Sequence, residues 1–417
     1  MRSYIICVLL LASLGSADGT GVARATQSAN HRPQAAQLEA SRAPQALSVA
    51  EVLPAPTGPY QTGRMSFHWK DNEREELETK APGDKRELMV HLFYPRDTTA
   101  TGERAVYLPD ADALRREWSD TQFTRIRAMR SFSCVNAPLP SGTARYPVVI
   151  FSPGSGSKVL TYQALIEDLA SHGWVVAAID PPFNTLAVRF PDGRVLGNLP
   201  PAEQAWPDDQ LNTYALNQRI MHWSRDVSFV IDQLSALDNG SGPFARRLDL
   251  QRGVGAFGHS FGATTAGTVR LLDTRVRSSI NLDGVGGAYP AYILAKGPNV
   301  GGSQPLLWVL VEPIDHFSPQ AYRTLPLVTG GALRVFLNRP GFRHEDFSDE
   351  PFWNGSMTPD KRTAKLEGVS EVREWVRTFF DATVRGDWAG LKRLSSRTSA
   401  ATPNTVTAFG PFWSSGR

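Results

Sequence analysis

Short apolar runs alternating with segments of helical period dominate the middle of the chain. Val148-Val149-Ile150-Phe151 is a continuous apolar run ending at Ser152-Pro153-Gly154, the length and boundary of a buried strand. Between Tyr162 and His172 apolar residues recur at Leu165, Ile166 and Leu169, which is helical spacing. Trp174 to Ile179 is apolar again and closes on Asp180-Pro181-Pro182. Strand, helix and strand in that order make a right-handed crossover, so the pattern predicts a parallel sheet. A long helix is predicted from about Leu216 to Leu237, then a strand from Gly253 to Phe257 and a helix from Ser260 to Leu272. Ser278 to Leu282, Leu306 to Val311 and Leu333 to Leu337 are further apolar runs ending in polar or Pro-containing turns, and they continue the sheet. Val372, Trp375, Val376, Phe379 and Phe380 have the spacing of an amphipathic closing helix over Glu371 to Phe380.

The flanks of this core are less regular. Glu87 to Tyr94 is the earliest predicted strand, and a polar stretch holding Cys134 follows it. Residues 184–210 carry Pro, Gly and Asp with little period and are expected to form an excursion over the sheet edge or a lid. At the start, Met1-Arg2, an apolar run from Tyr4 to Leu14 and Gly15-Ser16-Ala17 follow the order of a secretory signal peptide, with cleavage expected after Ala17 or Ala25. That run is about half of the roughly 20 residues a bilayer crossing requires. The expected organisation is therefore a signal peptide over 1–17, a flexible Ala/Gln/Ser/Pro-rich segment over 18–57, a catalytic domain over 58–394 and a flexible tail over 395–417. The expected location is secreted or periplasmic.

Composition narrows the function classes. The chain has 417 residues, 41% hydrophobic and 20% charged, as in ordinary globular proteins. Its net charge of +3 is not concentrated in a basic, aromatic-laced stretch, so no nucleic-acid partner is expected. Of its two cysteines, Cys7 lies in the signal and only Cys134 remains, which leaves no internal disulfide in the mature chain. No Cys follows the small-residue run, which disfavours a lipid anchor. No His-Glu-x-x-His or paired-cysteine pattern suggests a metal, and no cofactor is expected.

The chemistry-bearing signal is Gly258-His259-Ser260-Phe261-Gly262, the one G-x-S-x-G in the chain, placed between a predicted strand and a predicted helix. The bare pattern arises by chance on the order of 0.1 to 0.2 times in a chain this long, so its context carries the weight. A serine on a sharp strand-to-helix turn is lifted clear of the sheet, and glycines two residues away leave room for the chain to double back. This is the nucleophile elbow of the α/β-hydrolase fold, a mostly parallel central sheet with helices on both faces. His259 points away along the turn and is read as a packing residue.

Serine needs a histidine to take its proton and a carboxylate to orient that histidine. His344, in Arg343-His344-Glu345-Asp346-Phe347 after the last predicted strand, fits the chain order Ser, acid, His better than His316. Asp283, ending the strand after the nucleophile helix, and Asp315, after the next strand, are both acid candidates, and each could equally be a turn-forming Asp. The oxyanion donors are expected to be the backbone N–H groups of Phe261 and of Ser155, in Ser152-Pro153-Gly154-Ser155-Gly156. A phosphate loop is the competing reading of those glycines, but neither G-x-x-x-x-G-K-[ST] nor G-x-G-x-x-G is present there.

The ordered set Gly58-Pro59-Tyr60, Phe151 to Gly156, Asp168 to Ala178, Gly258 to Gly262, Asn281-Leu282-Asp283 and His344-Glu345-Asp346-Phe347-Ser348-Asp349 resembles the platelet-activating-factor acetylhydrolases of the plasma and type II kind, the group VII phospholipase A2 family. The resemblance implies that Asp283 is the acid, and it implies calcium-independent hydrolysis of phospholipid esters with short or oxidised acyl chains, with peripheral contact with lipid surfaces. Pro153-Gly154 stands where the family has His-Gly, and residues 184–210 do not match closely, so the substrate pocket departs from the family. Polyester and dienelactone-type hydrolases share parts of the motif set, which keeps polyesters and small carboxylesters as alternative substrates. A hydrolase-fold binding protein without catalysis is the reading from another class; the presence of every triad residue type opposes it.

Overall fold

The computed structural model describes residues 53–99, 102–197, 213–284, 304–311, 332–337, 339–353, 358–396 and 405–409. Among them one large sheet dominates. Its strands are β1 (Thr62–Glu75), β2 (Lys85–Pro95), β3 (Arg104–Val106), β4 (Arg130–Val135), β5 (Tyr146–Ser152) and β6 (Val175–Asp180). They continue, after a small hairpin of β7 (Ala187–Arg189) and β8 (Val195–Gly197), with β9 (Leu248–Asp249), β10 (Val254–His259), β11 (Val276–Leu282), β12 (Leu306–Val311), β13 (Ala332–Leu337) and β14 (Thr405–Phe409). The spatial order is β14-β13-β12-β11-β10-β5-β6-β2-β1-β4-β3, with β9 pairing β5. The block from β6 through β5, β10, β11 and β12 to β13 is parallel, whereas β2 pairs antiparallel with both β6 and β1.

Alternate residues of the parallel strands feed two separate cores. Val149, Phe151, Phe257, Ile280, Leu307 and Val335 face one side, against Leu165 and Leu169 of helix α2 (Gln163–Ser171) and Trp375, Val376 and Phe379 of the helix Pro359–Phe380. Val148, Ile150, Ala177, Val254 and Ala256 face the other, against Val227, Val230 and Leu234 of α3 (Thr213–Asn239) and Ala266 and Val269 of α4 (Phe261–Leu272). A short helix α1 (Asp120–Ala128) adds Ile126 to the first of these cores. Strands apolar on both faces are what a parallel sheet covered by two helix layers requires, and each fully buried aliphatic or aromatic side chain contributes about 1.5–3 kcal/mol. At Gly255 sheet and helix meet closely: a Cβ there would fall 2.4 Å from Phe380.

The expected strands and helices of the central block are present with shifts of a few residues at their ends. Differences lie at the flanks. β1 precedes the expected first strand, with Met65, Phe67 and Trp69 alternating with Ser66, His68 and Lys70 against its neighbour β2. The closing helix begins at Pro359 rather than near Glu371, because Thr358 caps it by accepting from Lys361 N and Pro359 supplies the first turn. Leu53, inside the segment expected to be flexible, is buried at 3% exposure. Within the expected loose tail, Thr405–Phe409 pairs antiparallel with β13; the backbone of an edge strand is satisfied by pairing whatever its sequence composition. The expected signal peptide, the greater part of the 18–57 segment, residues 198–210 of the expected excursion, and Asp315 and His316 lie outside the described residues.

Candidate active site

Ser260 joins β10 to α4 with φ 55° and ψ −115°, a conformation a serine keeps only where the surrounding fold holds it. Its N–H donates to Leu282 O at 2.9 Å. The flanking glycines are required by contact: a Cβ on Gly258 would fall 2.4 Å from Gly262, and one on Gly262 would fall 2.1 Å from Ser152 O and 2.4 Å from Pro153 O. The first turn of α4 therefore rests directly on the end of β5, and this brings the Ser260 elbow beside the loop that follows β5. A Cβ on Gly154 would lie 3.3 Å from the Ser260 Cβ.

Asp283 leaves the end of the next strand, β11, also with positive φ, 51°, a region Asp tolerates better than most residues. Its N–H donates to Val309 O at 2.8 Å and its Oδ1 accepts from Val311 N at 3.2 Å. Its Oδ2 accepts from His344 Nδ1 at 2.6 Å. The carboxylate is buried, 1% exposed, while the His344 side chain remains 27% exposed. Burial disfavours the charged imidazole, but the hydrogen bond and charge of Asp283, helped by Glu345, outweigh it and hold the His344 pKa above 6.5. With its proton committed to Asp283, Nδ1 leaves Nε2 as the basic nitrogen, the tautomer needed to accept a proton from a hydroxyl. The His344 ring lies 4.4 Å, centroid to centroid, from that of His259, the neighbour of Ser260. Asp283, His344 and the Ser260 elbow thus meet at the C-terminal edge of the parallel strands.

The loop after β5 is tied down along its length. Gly154 N donates to the Tyr162 hydroxyl at 3.2 Å, Gly156 N to Asn184 O at 2.8 Å, and Ser157 N to Gly154 O at 3.1 Å. Ser155 N has no backbone acceptor among the described residues, and Ser155 is exposed. Phe261 N, at the first position of α4, has none either. These are the two amides that the sequence singled out as oxyanion donors. Phe261 packs edge-on against Trp223 of α3 at 4.8 Å, and the Trp223 indole N–H donates to Asn184 Oδ1 at 3.4 Å. Both donor segments are thereby braced by the same α3 side chain.

Two buried titratable anchors lie behind the loops. Lys158, 1% exposed, donates from Nζ to Asp110 at 2.7 Å, Asp180 at 3.0 Å and Ala187 O at 2.5 Å. Burial opposes its charge, and the two carboxylates reverse the effect and raise its pKa. Asp349, five residues beyond His344, accepts from Gln163 N at 2.7 Å and Ala164 N at 3.0 Å at the start of α2, and from the Tyr107 hydroxyl at 2.9 Å. Burial pushes its pKa up to about 7 even against those donors. Sequence reasoning assigned no role to Lys158, Asn184, Trp223 or Asp349; only Asp349 carried a signal, as the end of the His344–Asp349 motif.

Comparison with known proteins bears on the chemistry. The model of the family "Platelet-activating factor acetylhydrolase, isoform II" matches residues 46–182. A probable 1-alkyl-2-acetylglycerophosphocholine esterase of Arthroderma benhamiae is 26% identical over 72% of this chain and 76% of its own length. A platelet-activating factor acetylhydrolase of Bos taurus is 31% identical over 52% of this chain and 51% of its own length. Among solved structures, a ferulic acid esterase from Streptomyces cinnamoneus matches with a TM-score of 0.66 and 27% identity, covering 86% of this chain and 99% of that one. The chain is a carboxylic ester hydrolase with the α/β-hydrolase fold. The likeness to platelet-activating factor acetylhydrolases read from the motifs is borne out. The hydrolase spans about half the length of the mammalian relative and all but a small part of the solved esterase.

Proposed function

We propose that this hydrolase is an exported serine esterase that cleaves short-acyl or oxidised phospholipid esters, with Ser260 as nucleophile, His344 as general base and Asp283 as the orienting acid. The observation that carries the reading is the 2.6 Å bond from His344 Nδ1 to Asp283 Oδ2 beside a serine held at φ 55°. His344 Nε2 takes the Ser260 proton as Oγ attacks the ester carbonyl, and the N–H groups of Ser155 and Phe261 receive the oxyanion. His344 then protonates the departing alcohol, and water, deprotonated by the same imidazole, releases the acyl group. The substrate class is supported by the name of the fungal relative, and export by the N-terminal charge, apolar run and small-residue order. Peripheral contact with lipid surfaces follows from a phospholipid substrate.

A second substrate reading, small aromatic or aliphatic carboxylesters, is favoured by the near-complete coverage of the ferulic acid esterase. Hydrolysis of p-nitrophenyl acetate, butyrate and palmitate, a short-chain phosphatidylcholine and methyl ferulate separates the two. Preference for the phosphatidylcholine is expected; preference for methyl ferulate assigns the second reading, and preference for palmitate contradicts both. Labelling by a fluorophosphonate that persists in Ser260→Ala removes the nucleophile assignment.

A further inference from the structure

Resting on the serine-esterase reading, we infer that Tyr162 and His259 are positioning residues that couple the oxyanion loop to the catalytic histidine through one buried hydroxyl. The Tyr162 hydroxyl accepts from Gly154 N at 3.2 Å and lies 2.9 Å from His259 Nδ1. Gly154 immediately precedes Ser155, so this bond fixes the peptide plane before the donor amide. His259 in turn lies beside His344, ring centroids 4.4 Å apart, and stacks on Phe347 of the same loop at 5.5 Å and 23°. One chain of contacts therefore runs from the oxyanion loop through Tyr162 and His259 to the His344 ring. All of its inner members are out of solvent: Tyr162 is 0% and His259 4% exposed.

Gly154 N–H points at the Tyr162 oxygen. The coupling needs the phenol proton on the Tyr162–His259 contact, with Nδ1 of His259 the bare nitrogen of a neutral ring. A neutral ring is what the position demands. Burial, with the positive charge of His344 adding to it and the His344 backbone partly offsetting it, holds the His259 pKa well below 6.5. During acyl transfer His344 becomes an imidazolium; a neutral aromatic ring 4.4 Å away tolerates that charge, whereas a second imidazolium would oppose it. A Cβ on Gly154 would lie 3.3 Å from the Tyr162 hydroxyl and 3.4 Å from His259 Nδ1, so the loop has little slack around this pair.

The test uses the full chain and p-nitrophenyl acetate. Tyr162→Phe keeps the ring and removes the hydroxyl. It is expected to lower kcat by about 10- to 100-fold, less than the 10²–10³ of deleting an oxyanion donor outright, with KM within about twofold. Affinity for a boronic acid that mimics the tetrahedral intermediate should fall in parallel with kcat. At His259, Asn presents an amide oxygen where Nδ1 accepts and should retain several times more kcat than Leu, which is of similar volume and accepts nothing. Circular dichroism and thermal melting report the folded fraction. A Tyr162→Phe kcat within about threefold of the parent, a rise in KM alone, a kcat loss that only tracks the folded fraction, or equal rates for His259→Asn and His259→Leu each overturn the inference. If the parent is not labelled by a fluorophosphonate, or Ser260→Ala still is, the serine reading itself fails and takes this inference with it; labelling at Ser260 together with an unaffected Tyr162→Phe removes the inference alone.

Discussion

Replacing Asp283 by Asn tests the mechanism most directly. The substitution conserves shape, and an amide oxygen can still accept the 3.2 Å bond from Val311 N, so the fold has little reason to change. What changes is the 2.6 Å contact with His344 Nδ1. With its oxygen on Val311, the amide turns its NH₂ toward Nδ1 and moves the imidazole proton to Nε2, where it can no longer accept from Ser260. A triad that loses the correct tautomer loses about 10⁴ in kcat, or about 5.4 kcal/mol at 1.36 kcal/mol per decade. A second signature accompanies the loss. In the parent, Asp283 raises the His344 pKa above 6.5 against burial, so kcat/KM should climb with pH through a limb above 6.5 as His344 becomes neutral. In Asp283→Asn burial is left with only Glu345 against it, and the residual activity should show its limb below 6.5. Measuring kcat/KM for p-nitrophenyl acetate from about pH 5 to pH 9, with spontaneous hydrolysis subtracted, reads both effects. A variant within tenfold of the parent, or an acid limb that stays where it was, refutes the reasoning.

Gly262→Ala forces a Cβ to within 2.1 Å of Ser152 O; displacement of the elbow should lower turnover at least about 100-fold, and soluble protein with parental kcat would show that the contact can relax. Lys158→Met strands the Asp110 and Asp180 carboxylates, which should lower stability by about 3–5 kcal/mol; an unchanged urea midpoint contradicts this. Asp349 has a folded pKa of about 7 against an ordinary 3.8, so its ionisation penalises the fold: its favourable term is complete below about pH 4 and lost as pH rises through 7. The stability of the parent relative to Asp349→Asn should therefore improve by up to about 1.4 kcal/mol per unit as pH falls across that window, and a urea-determined difference that is flat from about pH 8 to pH 4 counts against it.

The parallel block was legible because its strands are apolar on both faces and the helices between them keep a clear period. Val148 to Phe151 and Leu306 to Val311 can be little else than buried strands. β1 was legible in principle, since Met65, Phe67 and Trp69 alternate with polar residues, but its polar half masks the signal that continuous runs give. β14 had no such signal, because an edge strand owes its existence to the backbone of β13 rather than to its own side chains. At the site, Ser260 was marked by glycines whose contacts now explain them, and His344 by its place after the last strand. Asp283 and Asp315 could not be separated by pattern, because orienting a histidine is a property of distance. Tyr162, Asn184, Lys158 and Asp349 act through long-range hydrogen bonds that no local spacing records.

The start of helix α2 is moored both to the loop after β5 and to the segment that carries His344. Tyr162, at its threshold, accepts from Gly154 N of that loop, and the amides of Gln163 and Ala164 donate to Asp349. A drift of that helix pulls on both segments at once, so their spacing is better kept than if each were anchored to a different element.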